Sequence, residues 1–157
     1  MISSRVLGVL LCLSPIAIAR ADAPQPVIMK TQVTFSPQAE GTFMATSPLC
    51  ATGTFRTLRF VSNPSLLRGH GFTAEAEYLC DDNSGTFIIQ FHPQSGANYA
   101  GGTRDPDFTV AGPWSFVPGG TGRYAKISGH GDFGVVIDFE QDPWTGEESF
   151  TGFVKLD

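Results

Sequence analysis

The stretch Gly71-Phe-Thr-Ala-Glu-Ala-Glu-Tyr-Leu-Cys80 changes side-chain character at every step. Phe72, Ala74, Ala76, Tyr78 and Cys80 fall on one side, and Thr73, Glu75, Glu77 and Leu79 on the other. A period of two belongs to an extended strand, so the stretch predicts a strand with its apolar row in a core and its carboxylates in water. The turn formers Asp81-Asp82-Asn83-Ser84-Gly85 follow it and lead into Thr86–His92 (TFIIQFH). On the other side, Asn63-Pro64-Ser65 breaks the preceding strand, Thr52–Ser62. Unbroken alternation there puts Thr54, Arg56, Leu58 and Phe60 on one face, and Phe55, Thr57, Arg59 and Val61 on the other.

The same grammar extends to both ends. Val27–Ser36 and Gly41–Thr46 read as two strands before Thr52, and Phe108–Val117 as another, with a bend or bulge expected at Gly112-Pro113. Between them Pro93–Asp107 reads as the longest irregular stretch. Gly119–Gly122 is a tight turn into Arg123–Gly129. His130–Glu140 then alternates Phe133, Val135, Ile137 and Phe139 against Gly134, Val136, Asp138 and Glu140. Asp142–Gly146 turns the chain, and Ser149–Leu156 closes it. Eight or nine short strands separated by turns, with no helical period, predict an all-β meander or barrel. Closure would also remove exposed edges. Gly-Thr-Phe recurs at 41–43, 53–55 and 85–87, which reads as a repeated strand start in which glycine permits the turn.

Composition agrees. The 157 residues include 18 Gly and 11 Pro, only 16% are charged, and 13 of the 18 aromatic residues are Phe. Such a chain is too turn-rich for a helical bundle and, at 41% hydrophobic, too apolar for disorder. Its length fits one domain. Residues 1–21 stand apart: Arg5 precedes an apolar run, Val6–Ile18, that is short for a bilayer and suited to a signal peptide. Small-residue patterns place cleavage after Ala19 or Ala21, leaving 22–157 as the domain of a secreted or periplasmic protein. Leu11 precedes Cys12 where a lipidation motif needs a small residue.

Removal of residues 1–21 takes away Arg5 and Arg20, leaving 8 basic and 15 acidic residues, so the net charge moves from −5 to −7. The basic residues are scattered. An acidic chain of this kind is unsuited to nucleic acid, and no second apolar span predicts a membrane crossing. Cys50 and Cys80 remain as the one possible pair, and two such cysteines in an oxidising compartment form a bridge. Closing a loop of that length stabilises by roughly 3–4 kcal/mol in the chain-entropy account.

One segment carries a family likeness. Residues 114–129 read Trp114-Ser-Phe-Val-Pro-Gly119-Gly120-Thr121-Gly122-Arg-Tyr124-Ala-Lys-Ile-Ser-Gly129. This resembles the V-x-G-G-T-G-x-[FY]…G segment of the allene oxide cyclase and dirigent barrels. The resemblance implies a single antiparallel eight-stranded, up-and-down, calycin-like barrel, in which Tyr124 packs against the wall. With Cys50, Cys80 and the run from Asp81 to Phe87, the chain is more similar to small secreted bacterial barrels of unknown function than to either plant family. No catalytic residue of those plant families maps onto a position here.

Chemistry is thinly signalled. The 119–122 run lacks a following Gly-Lys-Ser/Thr and sits between strands, which excludes a nucleotide loop. Asp81-x-Asn83-x-Gly85 has too few oxygen ligands for a calcium loop and reads as an Asx-stabilised turn. His70, His92 and His130 lack the spacing of a local zinc site, and no Gly-x-Ser-x-Gly is present. Glu75 and Glu77 share a face about 6–7 Å apart by strand rise and would suit acid–base work if that face lined the lumen. Opposite the apolar row, they are expected in water. No metal or cofactor is implied. The expected function is binding of a small apolar ligand or an extracytoplasmic partner by a non-enzymatic barrel, with Tyr78, His92, Tyr124 and His130 as candidate polar contacts. The alternative implied by the resemblance is an isomerase or cyclase acting on an apolar substrate inside the barrel.

Overall fold

A computed structural model describes residues 23–63, 71–98 and 108–157; the predicted signal peptide and His70 lie outside the described residues. Nine strands form one antiparallel sheet: β1 Gln25–Phe35, β2 Ala39–Ala45, β3 Thr52–Asn63, β4 Gly71–Cys80, β5 Thr86–Phe91, β6 Ser95–Asn98, β7 Phe108–Val117, β8 Ser128–Asp138 and β9 Trp144–Lys155. Apart from β5 and β6, each strand pairs with its neighbour in sequence, and β1 also pairs with β9 along its whole length. β5 and β6 act as one broken strand, since both pair with β7, one after the other. The result is an eight-stranded up-and-down barrel, as the strand count and the 114–129 likeness imply. The only helical piece among the described residues is a single 3-10 turn, Gly122–Tyr124.

Two bulges depart from simple alternation. Between the pairs Phe91–Trp114 and Ser95–Ala111, three residues (His92, Pro93, Gln94) face two (Gly112, Pro113). The irregularity expected at Gly112-Pro113 therefore falls on the opposing strand, where Pro93 has no N–H for the ladder. β7 itself runs through unbroken. A second bulge places Leu58 between the pairs Thr57–Ala76 and Arg59–Glu75. It reverses the phase of β3: Phe55 is buried inside, and beyond Leu58 Phe60 also turns to the lumen side, at the open end, where it pairs with Ala74 and stacks on Phe72 at 4.9 Å. The unbroken alternation expected for this strand, which separated Phe55 from Phe60, is corrected by that one extra residue.

Inward rows fill half of the lumen with rings. Tyr78 stacks on Phe55 and Phe87 at 5.3 and 5.1 Å and meets Phe43 edge-on at 5.4 Å. Room for these rings comes from inward glycines: the ring of Phe43 lies over Gly53, where a Cβ would come within 2.5 Å of it. In the same way Trp114 lies over Gly152, and its indole N–H donates to the carbonyls of Asp132 and Thr151, both at 3.1 Å. Gly41 stands within β2 and Gly53 within β3, so in those two copies of Gly-Thr-Phe the glycine makes space in the wall instead of turning the chain.

The packed end is closed by two sequence signals that dock on each other. Backbone N–H groups of Thr121 and Arg123 donate to the carbonyls of Thr86 and Ser84, and the Thr86 N–H donates to the Thr121 hydroxyl. Gly122, at φ +56, adopts the left-handed conformation that this tight approach to Ser84 requires. Tyr124 plugs the barrel below, fully buried and edge-on to Phe87 at 5.3 Å. Cys50 and Cys80 are joined there by a disulfide across a Cα separation of 5.9 Å, as expected from export. Among the described residues no helix is long and apolar enough to cross a membrane.

Candidate functional site

The lumen is not filled throughout. At the end opposite the disulfide a cavity of about 560 Å³ opens between the strand ends. Phe35, Ala39, Phe60, Phe72, Ala74, Phe91, Val135 and Ile137 form its walls, and Phe139 and Trp144 stand edge to face at its mouth, 4.8 Å apart. Trp144 and Phe60 are more than half exposed there. Arg59, exposed at the rim, is the basic side chain of the lining among the described residues.

One charged side chain lies deep in this apolar space. β9 turns Gly146, Glu148, Phe150 and Val154 inward and Glu147, Ser149, Thr151 and Phe153 outward. Its register places Glu148 between Thr31 of β1 and Val135 of β8. The carboxyl is only 6% exposed, lines the cavity and accepts a 2.7 Å hydrogen bond from the Thr31 hydroxyl. No basic side chain among the described residues pairs with it. Desolvation pushes its pKa up to about 7, with the Thr31 hydrogen bond opposing the shift. Near neutral pH the group therefore exists as both acid and carboxylate.

Tyr78, one of the four expected contacts, lies at the centre of the ring cluster. Its hydroxyl is buried and has no hydrogen-bond partner among the described residues. Burial, and then the charge on Glu148, raise its pKa well above the usual phenol value. A buried hydroxyl without a partner keeps its desolvation penalty, on the order of 1–3 kcal/mol. Tyr78→Phe is therefore expected to leave stability unchanged or raise it by about 1 kcal/mol, read from urea denaturation midpoints. A loss above about 1 kcal/mol would show that the hydroxyl is satisfied in solution.

The other three stand elsewhere. His130 is exposed on β8, in the outward row with Asp132 and Val136. His92 is half-buried at the β5–β6 bulge, outside the cavity lining. Tyr124 belongs to the plug at the far end, its hydroxyl 3.4 Å from that of Ser84. Of the fold-motif residues, Trp114 packs in the filled half and Gly119–Gly122 form the closing turn. Glu75 and Glu77 face outward as expected: Glu75 accepts from Gln90 at 2.9 Å, and Glu77 pairs with Arg56 at 2.8 Å. The Asp81–Gly85 segment is a hydrogen-bonded turn, in which the Ser84 N–H donates to Asp82 at 2.9 Å; hydrogen bonding from the Ser84 hydroxyl, and then from its N–H, holds that carboxyl below its ordinary pKa. Cys50, Cys80 and Asp82 cluster as metal-ligand types, but both sulfurs are committed to the disulfide.

Glu148 and Thr31 were not among the expected contacts, although a signal exists for both. Thr31 keeps phase with Val27, Met29 and Val33, and Glu148 with Phe150 and Val154. Reading Asp142–Gly146 as a turn delayed the last strand to Ser149, whereas β9 begins at Trp144 and takes Glu148 into the wall. Comparison with protein-family models, curated proteins and solved structures gives no match, so the family likeness stands on residues 114–129 alone.

Proposed function

We propose that the chain is an exported barrel that holds a small, mainly apolar ligand in the cavity above Glu148. The carrying observation is a 560 Å³ space with aromatic walls and a single deep carboxyl, a volume and lining usual for small-molecule sites. The packed half beneath it keeps the wall rigid, so little ordering is needed on binding. The apolar run at 6–18 and the buried disulfide support an oxidising, extracytoplasmic setting.

The uncharged dye N-phenyl-1-naphthylamine tests this reading. It should brighten on binding, quench Trp144 and be excluded by Ala39→Trp, which projects an indole into the mouth. Native mass spectrometry of protein purified from its producer should show a retained small molecule. A dye response that Ala39→Trp leaves intact, or none at all, overturns the reading. A second reading is favoured by Glu148 alone: a carboxyl with a pKa near 7 in an apolar chamber suits proton transfer, as an isomerase or cyclase needs. There Glu148→Gln would abolish turnover of the retained compound while binding persists.

A further inference from the structure

We infer that the ligand is an amphiphilic amine, its ammonium group seated against Glu148 and its alkyl or aryl body lying along the aromatic walls. This rests on the binding reading above and specifies the head group. Three observations converge on it. The Glu148 carboxyl lines the cavity, is 6% exposed, and has one hydrogen bond, to Thr31, among the described residues. A carboxylate has about four acceptor positions, and among the described residues none of the lining's other donors, Gln38, Thr57, Arg59 and Ser62, hydrogen-bonds to it, so most of its capacity is left for a ligand. The walls and mouth present Phe60, Phe72, Phe91 and Trp144, whose ring faces attract a cation. The chain is acidic overall, with a net charge of −5, which favours the approach of cations.

Competing head groups fit less well. Among the described residues an anion would find its basic partner at Arg59 on the rim and would lay its apolar tail over the buried carboxyl. A neutral alcohol could hydrogen-bond to Glu148 but would supply no charge to the carboxylate. The side chains facing Glu148 from adjoining strands are Thr31 on β1 and Val135 on β8; Tyr78 on β4 feels its charge, and Arg59 on β3 lines the same cavity. Among these, Glu148 alone changes charge near neutral pH.

Octylamine, octan-1-ol and octanoate, matched in chain length, should be compared as displacers of N-phenyl-1-naphthylamine. At about pH 8.5 octylamine is expected to bind at least about tenfold more tightly than octan-1-ol, as for a charge-assisted hydrogen bond. Its affinity should fall about thirtyfold on acidification to about pH 5.5 as Glu148 takes up a proton, while that of octan-1-ol stays level. Glu148→Gln keeps the side-chain shape and should erase both the amine preference and the pH dependence. Equal binding of amine and alcohol would overturn the inference and leave the binding reading intact. So would tighter octanoate binding that Arg59→Ala abolishes. Failure of the dye and all three displacers would remove the binding reading itself.

Discussion

Phe150→Ala is expected to destabilise the barrel by about 4 kcal/mol, the middle of the range for loss of a buried ring. Phe150 is 1% exposed and stands one layer deeper than Glu148, where the packed half meets the cavity. Its ring stacks on Phe133 at 5.9 Å and meets Phe91, Trp114 and Tyr78 edge-on at 5.9, 6.3 and 6.5 Å. Removing it forfeits the transfer free energy of the ring and leaves a void beneath the cavity floor. Relaxation into that void is limited, because β9 is held by continuous pairing to β1 and β8. Urea denaturation should show a lower midpoint with an unchanged slope, marking a loss of stability with the same surface exposed on unfolding. The same void should deepen the cavity, so longer alkyl chains gain affinity relative to octyl ones. A loss below about 1 kcal/mol would mean that the lumen collapses freely and that its filled half is not closely packed.

The fold was legible because it is written in short-range terms. Alternation along Gly71–Cys80 and His130–Glu140, and turns at Asp81–Gly85 and Gly119–Gly122, are local decisions that neighbouring strands simply accept. What escaped depends on cross-strand matters. The extra residue at Leu58 has no signature of its own, and it is register against β4 that reveals it and moves Phe60 to the inside. Gly112-Pro113 marks a bulge whose extra residue lies on the opposing strand at His92-Pro93-Gln94, and proline stands on both sides of the site, so the sequence alone does not say which strand carries it. Inward glycines at 53 and 152 make sense only once Phe43 and Trp114 are seen lying over them. The candidate site was less legible than the fold. Tyrosines and histidines stand out for their chemistry, whereas the group in the cavity is a glutamate beside a second glutamate, between the expected turn and the expected last strand. Phase against Phe150 separates the two: Glu147 bonds Gln32 on the outer face and Glu148 enters the lumen.

Glu148 also sets an unusual dependence of stability on pH. Its carboxyl has an ordinary pKa of 4.5 in the unfolded chain and about 7 in the fold, because burial disfavours the charged form. Below about pH 4.5 both states hold the proton and the group is neutral to folding. Between 4.5 and about 7 the folded state retains a proton that the unfolded state has released, so stability falls as pH rises. Above about 7 the loss is complete, and the pKa difference corresponds to about 3 kcal/mol. Most acidic proteins behave oppositely over this range, since their carboxylates are stabilised by folding. Asp82, held low by Ser84, follows that ordinary pattern, but its contribution disappears only at more acid pH. Glu148→Gln removes the titration while keeping a partner for the Thr31 hydroxyl. Relative to the wild-type chain, the variant should therefore gain about 3 kcal/mol between pH 4.5 and about pH 8, measured by urea denaturation at both ends. Parallel pH profiles for the two proteins would show that the carboxyl is hydrated in solution. That result would also remove the charge against which an ammonium group could be held.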